Sequence, residues 1–228
     1  MKPSNALIYL QMIVCITLLN VLHTASASAT NSKLETQTIL VWGDSLSAAY
    51  GIAIEKGWVN LLQERLNTLK PEQFKLVNGS ISGETTHGGL TRLPKALTDF
   101  QPDYVLLELG ANDGLRGMSP QLMHKNLQAM LEQILAIDAK PVLIGIKLPP
   151  NYGAAYNTRF EKVYVDLAEQ YELPIVPFLL EGVAEDFDLM QADGLHPTAE
   201  AQPIILEHVW KTLSEVLGMQ DAVRDLPN

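Results

Sequence analysis

The sequence predicts an α/β fold built on a five-stranded parallel sheet with helices on both faces. Three observations carry this. Apolar runs of strand length alternate with longer segments of helical period. The runs are nearly continuous in apolar character, as strands covered on both faces are. No internal repeat or low-complexity linker divides the chain, so its 228 residues read as one domain behind a leader.

The leader comes first. Lys2 precedes an apolar stretch over residues 6–22, followed by Thr24-Ala25-Ser26-Ala27-Ser28-Ala29, the layout of a secretory signal with an A-x-A exit. Cleavage is expected after Ala27 or Ala29, giving a signal peptide over residues 1–29 and a single domain over 30–228. The rival is an uncleaved anchor, but Gln11 and Asn20 interrupt the apolar core, which is shorter than the ~20 residues a membrane span needs. Cys15, the sole cysteine, lies inside that core and leaves with it, so neither a disulfide nor a thiol nucleophile is expected in the mature chain. Loss of Lys2 takes the formal net charge from −10 to −11, and no basic cluster remains to hold nucleic acid or an anionic membrane.

Strands follow at residues 38–42 (TILVW), 74–77, 104–109 (YVLLEL), 141–146 and 175–177. Between them the period changes to helical over 57–69, where Trp58, Leu61, Leu62, Arg65 and Leu66 share a face, then over 86–99, 120–138 and 153–171. A last helix is predicted over 198–217, with Ile205, Val209, Leu213 and Val216 on one stripe. Five βα units of this kind give right-handed crossovers, and by analogy with similar folds a strand order of 2-1-3-4-5. Ligands in such sheets bind beyond the carboxyl ends of the strands, so residues just after strands are the candidates for chemistry.

Ser45, in Gly43-Asp44-Ser45-Leu46, follows the first strand. Asp44 or Ser45 could simply cap a helix, but free amides at a helix start also favour a developing oxyanion beside the serine. A serine needs a base. Of the four histidines outside the leader, His124 and His208 fall within predicted helices, and His87 follows a loop. His196 belongs to Asp193-Gly194-Leu195-His196-Pro197, where a carboxylate three residues earlier can fold back onto Nδ1 and leave Nε2 free for a serine. Oxyanion donors are available after two further strands: the Gly83 backbone in NGSISG, and the Asn112 side chain in GANDG. Turns alone explain each glycine-rich loop, but not why Ser45, Gly83, Asn112 and the Asp193–His196 pair all follow strands in four separate segments.

Together GDSLSAAYG, NGSISGETT, LGANDGLRG and DGLHP resemble the four sequence blocks of the GDSL or SGNH hydrolases, over essentially the whole mature chain. The longer stretches ISGETTHGGLTRLP, LLELGANDGLRGMSPQ and IKLPPNYGAAYN are similar to its exported thioesterase, lysophospholipase and arylesterase branch. The resemblance implies a three-layer flavodoxin-like fold, Ser45 as nucleophile, His196 as base and then acid, and Asp193 as its orienter. It also implies an oxyanion hole from the Ser45 backbone amide, Gly83 and Asn112, with no metal or organic cofactor. A loop over residues 113–119 is implied to meet the acyl chain through Gly114, Leu115, Arg116, Gly117 and Met118.

Departures are few. Ser47 occupies the place of the second glycine in a G-x-S-x-G motif, Ala111 and Ala192 stand where relatives often carry glycine and aspartate, and His87 replaces an uncharged polar residue. The expected protein is a periplasmic or secreted monomeric serine hydrolase of acyl esters, thioesters or lysophospholipids. The alternatives are a carbohydrate acetylesterase on the same scaffold and a non-catalytic binding module.

Overall fold

The structure, a computed structural model, describes residues 36–220; the leader, its exit and the last eight residues lie outside that range. Five parallel strands form one sheet: β1 (Gln37–Gly43), β2 (Phe74–Asn78), β3 (Tyr104–Glu108), β4 (Lys140–Ile144) and β5 (Ile175–Val176). Their order is β2-β1-β3-β4-β5, as expected. The register pairs Val41 with Leu106 across the centre, and Ile39, Leu40, Val41, Leu106 and Leu107 are fully buried.

Helices α1 (Trp58–Leu69) and α6 (Gln202–Val216) pack together, while α2 (Thr86–Phe100), α4 (Pro120–Leu135) and α5 (Ala154–Tyr171) pack in series; α3 (Ala111–Leu115) is a short helix after β3. Each long helix buries one stripe, as in Ile205, Val209 and Leu213 of α6. Among the described residues no helix is long and apolar enough to cross a membrane.

Several boundaries differ from expectation for local reasons. Strand β4 ends at Ile144, two residues early: Gly145 N still donates to Val176 O in the ladder, but Gly145 O accepts from Leu179 N, one residue out of register, so the pairing stops there. The last helix begins at Gln202 rather than 198, because Pro197 is held in a bridge with Met190 and Thr198 N donates to Leu189 O. Residues 111–115 are helical where a turn was expected; Gly110, at φ +130°, makes the sharp corner that allows it.

Candidate active site

The segments after β1, β2 and β3 and the Asp193–His196 turn after β5 carry the predicted residues. No regular helix starts at Ser45, which corrects the capping expectation. Residues 44–51 instead form one loose helical coil, with Ala48 N donating to Asp44 O and Tyr50 N to Ser45 O. Ala49 at φ +57° and Gly51 at φ +75° are left-handed and stop the coil before it can propagate. Asp44 instead closes a local side-chain turn, its Oδ1 accepting from Leu46 N at 3.1 Å. Among the described residues the backbone amides of Ser45 and Gly83 donate to no acceptor, so both remain available to an incoming oxygen.

His196 reaches Ser45 across 151 residues of sequence. Its Nε2 lies 2.9 Å from Ser45 Oγ, and its Nδ1 2.6 Å from Asp193 Oδ2. The other Asp193 oxygen accepts from the Leu195 and His196 amides at 2.9 and 3.0 Å, so the carboxylate is fixed by its own turn, with Gly194 at φ +65°. The Met190–Pro197 bridge and Gln191 N donating to His196 O hold the turn from behind. Partial burial works to raise the Asp193 pKa, but the hydrogen bonds from the His196 ring and the two amides win and hold it at about 2. An ionised Asp193 fixes the tautomer: Nδ1 carries the proton, and Nε2 is left as the acceptor for Ser45 Oγ–H.

Asn112 sits in α3, and its Nδ2 donates one hydrogen to Asp44 Oδ2 at 3.1 Å, leaving the second free. Gly83 is exposed, at φ +80°, outside the ring of residues that lines the cavity described below. Two contacts bind its loop to the site: Ile81 N donates to Gly43 O, and Arg116 Nη2 to Gly83 O at 3.1 Å.

Within the implied substrate loop, Gly114 is buried where a Cβ would collide with Leu148 and Phe160, while Leu115 lines the cavity. Arg116 and Gly117 are exposed and Met118 is half-buried. The loop is also tied from α5 and the segment before it: Tyr152 OH donates to Leu115 O at 3.0 Å and Tyr156 OH to Met118 O at 2.7 Å. These tyrosines lie in the NYGAAYN stretch, but only their spatial neighbours give them a role.

As a group, the buried acids behind Ser45 carry no local signature in the sequence. Glu108 Oε2 accepts from Ser47 Oγ at 2.7 Å and from Asp44 N at 3.2 Å, while its Oε1 has no partner. Asp113 is held by the Thr86 amide and hydroxyl, and Asn126 in turn donates to Thr86 Oγ1 at 3.0 Å. Burial pushes Asp44 up to about 6, against the hydrogen bonds from Leu46 and Asn112; burial and then the Asp44 charge push Glu108 well above the usual carboxyl range. Glu108 was the sole charge in an apolar strand covered on both faces, which is the signal that marks it. Ser47, at the place of the missing glycine, is its hydrogen-bond partner, and Gly43 provides the space, since a Cβ there would stand 2.5 Å from Glu108 Oε2.

The remaining departures are accommodated. Gly110 rather than residue 111 takes the corner, since a Cβ at Gly110 would strike Tyr164 OH, so Ala111 costs nothing. Ala192 and His87 are exposed, His87 in the first turn of α2. His124 is half-buried in α4, and His208 Nδ1 lies 3.4 Å from Leu179 O in α6; neither meets Ser45.

A cavity of about 440 Å³ opens beside Ser45 and His196, walled by Leu46, Leu115, Ile146, Leu148, Phe178 and Leu180. A larger groove of about 720 Å³ lies at the opposite end of the sheet, around Pro94 and Asp138, away from these side chains. The first has the chemistry: hydroxyl, imidazole and carboxylate in line, unused amides beside them, and an apolar wall for an acyl chain. An open parallel sheet that carries such a line at its carboxyl edge is the layout of a serine hydrolase.

Comparison with known proteins gives the family. Residues 41–203 match the model of the GDSL-like lipase/acylhydrolase family. The chain is 50% identical to the esterase TesA of Pseudomonas aeruginosa, over 79% of this chain and 90% of that one. It is 41% identical to thioesterase 1/protease 1/lysophospholipase L1 of Escherichia coli (strain K12), over 79% of this chain and 85% of that one. Among solved structures it is similar to the psychrotrophic esterase EstA of a Pseudoalteromonas species inhibited by monoethylphosphonate, with 41% identity and a TM-score of 0.76, covering 80% of this chain and 99% of that one. The chain belongs to the GDSL-like lipase/acylhydrolase family and is an ester hydrolase.

Proposed function

We propose that this enzyme cleaves acyl esters and thioesters of lipid-like substrates through a covalent acyl-enzyme on Ser45. Ser45 Oγ attacks the carbonyl carbon as its proton passes to His196 Nε2. The carbonyl oxygen, now negative, is held by the Ser45 and Gly83 amides and the free Asn112 Nδ2 hydrogen. His196 returns the proton to the departing alkoxide or thiolate as the C–O or C–S bond breaks, then takes a proton from the water that attacks the acyl carbon and passes it to Ser45 Oγ as the acyl–Oγ bond breaks, which frees the acid and restores the serine hydroxyl. Asp193 keeps the imidazole oriented throughout. The observation that carries this reading is the Ser45–His196–Asp193 line, at 2.9 and 2.6 Å, at the mouth of an apolar cavity.

That cavity favours acyl chains over acetylated glycans, because its wall offers contact surface to methylenes and few polar partners to a sugar ring. Esterase, thioesterase and lysophospholipase are among the names carried by the relatives. The enzyme acts as a monomer outside the cytoplasm after losing residues 1–29.

Ser45→Ala tests the mechanism. Its kcat is expected to fall by about 10⁶, with no covalent mass gain from an organophosphonate that labels the wild type. Wild-type turnover by purified Ser45→Ala, or labelling at another residue, overturns the reading. N-terminal sequencing of the enzyme from a bacterial periplasm is expected to begin at residue 28 or 30.

A further inference from the structure

Tyr50 has no assigned part, yet it touches the proposed base. Its ring centroid stands 4.3 Å from that of His196, with the planes tilted by 37°. Asp193 and Ser45 engage the two nitrogens on the imidazole edge, so the tyrosine takes the face that they leave.

The chain holds Tyr50 there by a strap. Gln191 Nε2 donates to Tyr50 O at 2.8 Å and to Pro197 O at 2.9 Å, tying the nucleophile loop to the histidine loop across 141 residues of sequence. Gly51 makes the strap possible, since a Cβ there would collide with the Gln191 side chain. The Tyr50 side chain itself is not buried: the residue is 50% exposed. A half-exposed tyrosine whose carbonyl is anchored and whose ring lies against an imidazole is placed by that contact, not by the core.

We propose that Tyr50 is a positioning residue for His196: its ring face keeps the imidazole in line between Asp193 and Ser45 and stabilises the positive charge acquired with the Ser45 proton. The inference rests on His196 being the base. An aromatic face carries negative quadrupole density and attracts a cation within about 6 Å of its centroid. The imidazolium exists in the acylation transition state and not in the resting enzyme, so the attraction strengthens as the reaction proceeds and acts on kcat rather than KM. The other titratable groups facing His196 are the Asp193 carboxylate on Nδ1 and the buried Asp44 carboxyl beneath Ser45; Glu185 and Lys147 line the same cavity, and all of them are unchanged between the variants.

The test compares wild type, Tyr50→Phe and Tyr50→Leu. Leucine keeps the cover over the imidazole and removes the π face; phenylalanine keeps both. For a p-nitrophenyl ester, Tyr50→Leu is expected to lower kcat by about 2- to 30-fold with KM unchanged. Losing the face disfavours the imidazolium, so the acid limb of its kcat/KM profile moves to lower pH, by about 0.4 to 1.5 pH units. Tyr50→Phe restores both to near wild type.

Wild-type kcat with an unmoved acid limb in Tyr50→Leu overturns the proposal, as does a loss in Tyr50→Phe equal to that in Tyr50→Leu, which would place the effect on the hydroxyl. A second measurement does not depend on catalysis: in a Ser45→Ala background, NMR titration of the His196 ring is expected to show a lower midpoint for Tyr50→Leu, and an unchanged midpoint overturns the proposal. An active Ser45→Ala would sink the catalytic reading instead, and the NMR comparison would still decide the ring contact.

Discussion

Two aspartates flank the same serine, and their surroundings drive them in opposite directions. Asp193 stands on an outer turn with its side chain 40% exposed, receives two amides and an imidazole, and is held at about 2. Asp44 is fully buried under the nucleophile, receives one amide and one carboxamide, and is pushed up to about 6 with Glu108 beside it. The number of donors and access to water decide the difference, not the residue type. The front carboxylate is therefore ionised wherever the enzyme could work, whereas the rear pair resists ionisation and gives up stability to shape the nucleophile loop.

Asparagine at position 193 breaks the front half. Asp193→Asn is expected to lower kcat by about 10⁴, because an amide can present its NH₂ to Nδ1 and favour the wrong tautomer. Thermal unfolding should change little, since the position is a half-exposed turn. A fall in melting temperature proportionate to the lost activity would make Asp193 a structural residue like Asp44.

Asn112 joins the halves, since one Nδ2 hydrogen is bound to Asp44 and the residue also lines the cavity beside Ser45. Asn112→Ala is expected to cost about 10²–10³ in kcat, read from ester hydrolysis at saturating substrate. A loss confined to KM would remove Asn112 from the oxyanion hole.

Glu108→Gln probes the rear alone, and its effect should be the smallest. In the unfolded chain Glu108 ionises near 4.5, but in the fold its carboxyl is raised well above that. A raised carboxyl binds its proton more tightly folded than unfolded, so this group's contribution to stability falls as pH rises above 4.5 toward the folded value. Glutamine cannot ionise and keeps an oxygen for Ser47 and Asp44 N. Urea unfolding at about pH 5 and pH 8 should show the variant gaining on the wild type at the higher pH. An equal difference at both values would mean that Glu108 is ionised in the fold.

The parts legible in the sequence were those with a local signature. Alternating apolar runs located all five strands, and short motifs after strands located Ser45, Asn112, Asp193 and His196. What escaped depends on distant partners. Nothing near Tyr50 announces His196, and nothing near Gln191 announces Tyr50, because the contacts join loops more than 140 residues apart. The capping alternative for Ser45 found no regular helix to cap, because Ala49 adopts a left-handed conformation that alanine rarely takes and tertiary context overrode propensity there. Glu108 was concealed by its neighbours, being read as part of an apolar strand.

The separation of Ser45 from His196 also has a meaning in time. Position 45 leaves the ribosome 151 residues before position 196, roughly 8–30 s at ordinary elongation rates. During that interval the strand that carries the serine can begin to fold without any group to activate it. The final turn, Asp193 to His196, acts as a late key. On the proposed mechanism, Ser45 has no base until nearly the whole domain has been made.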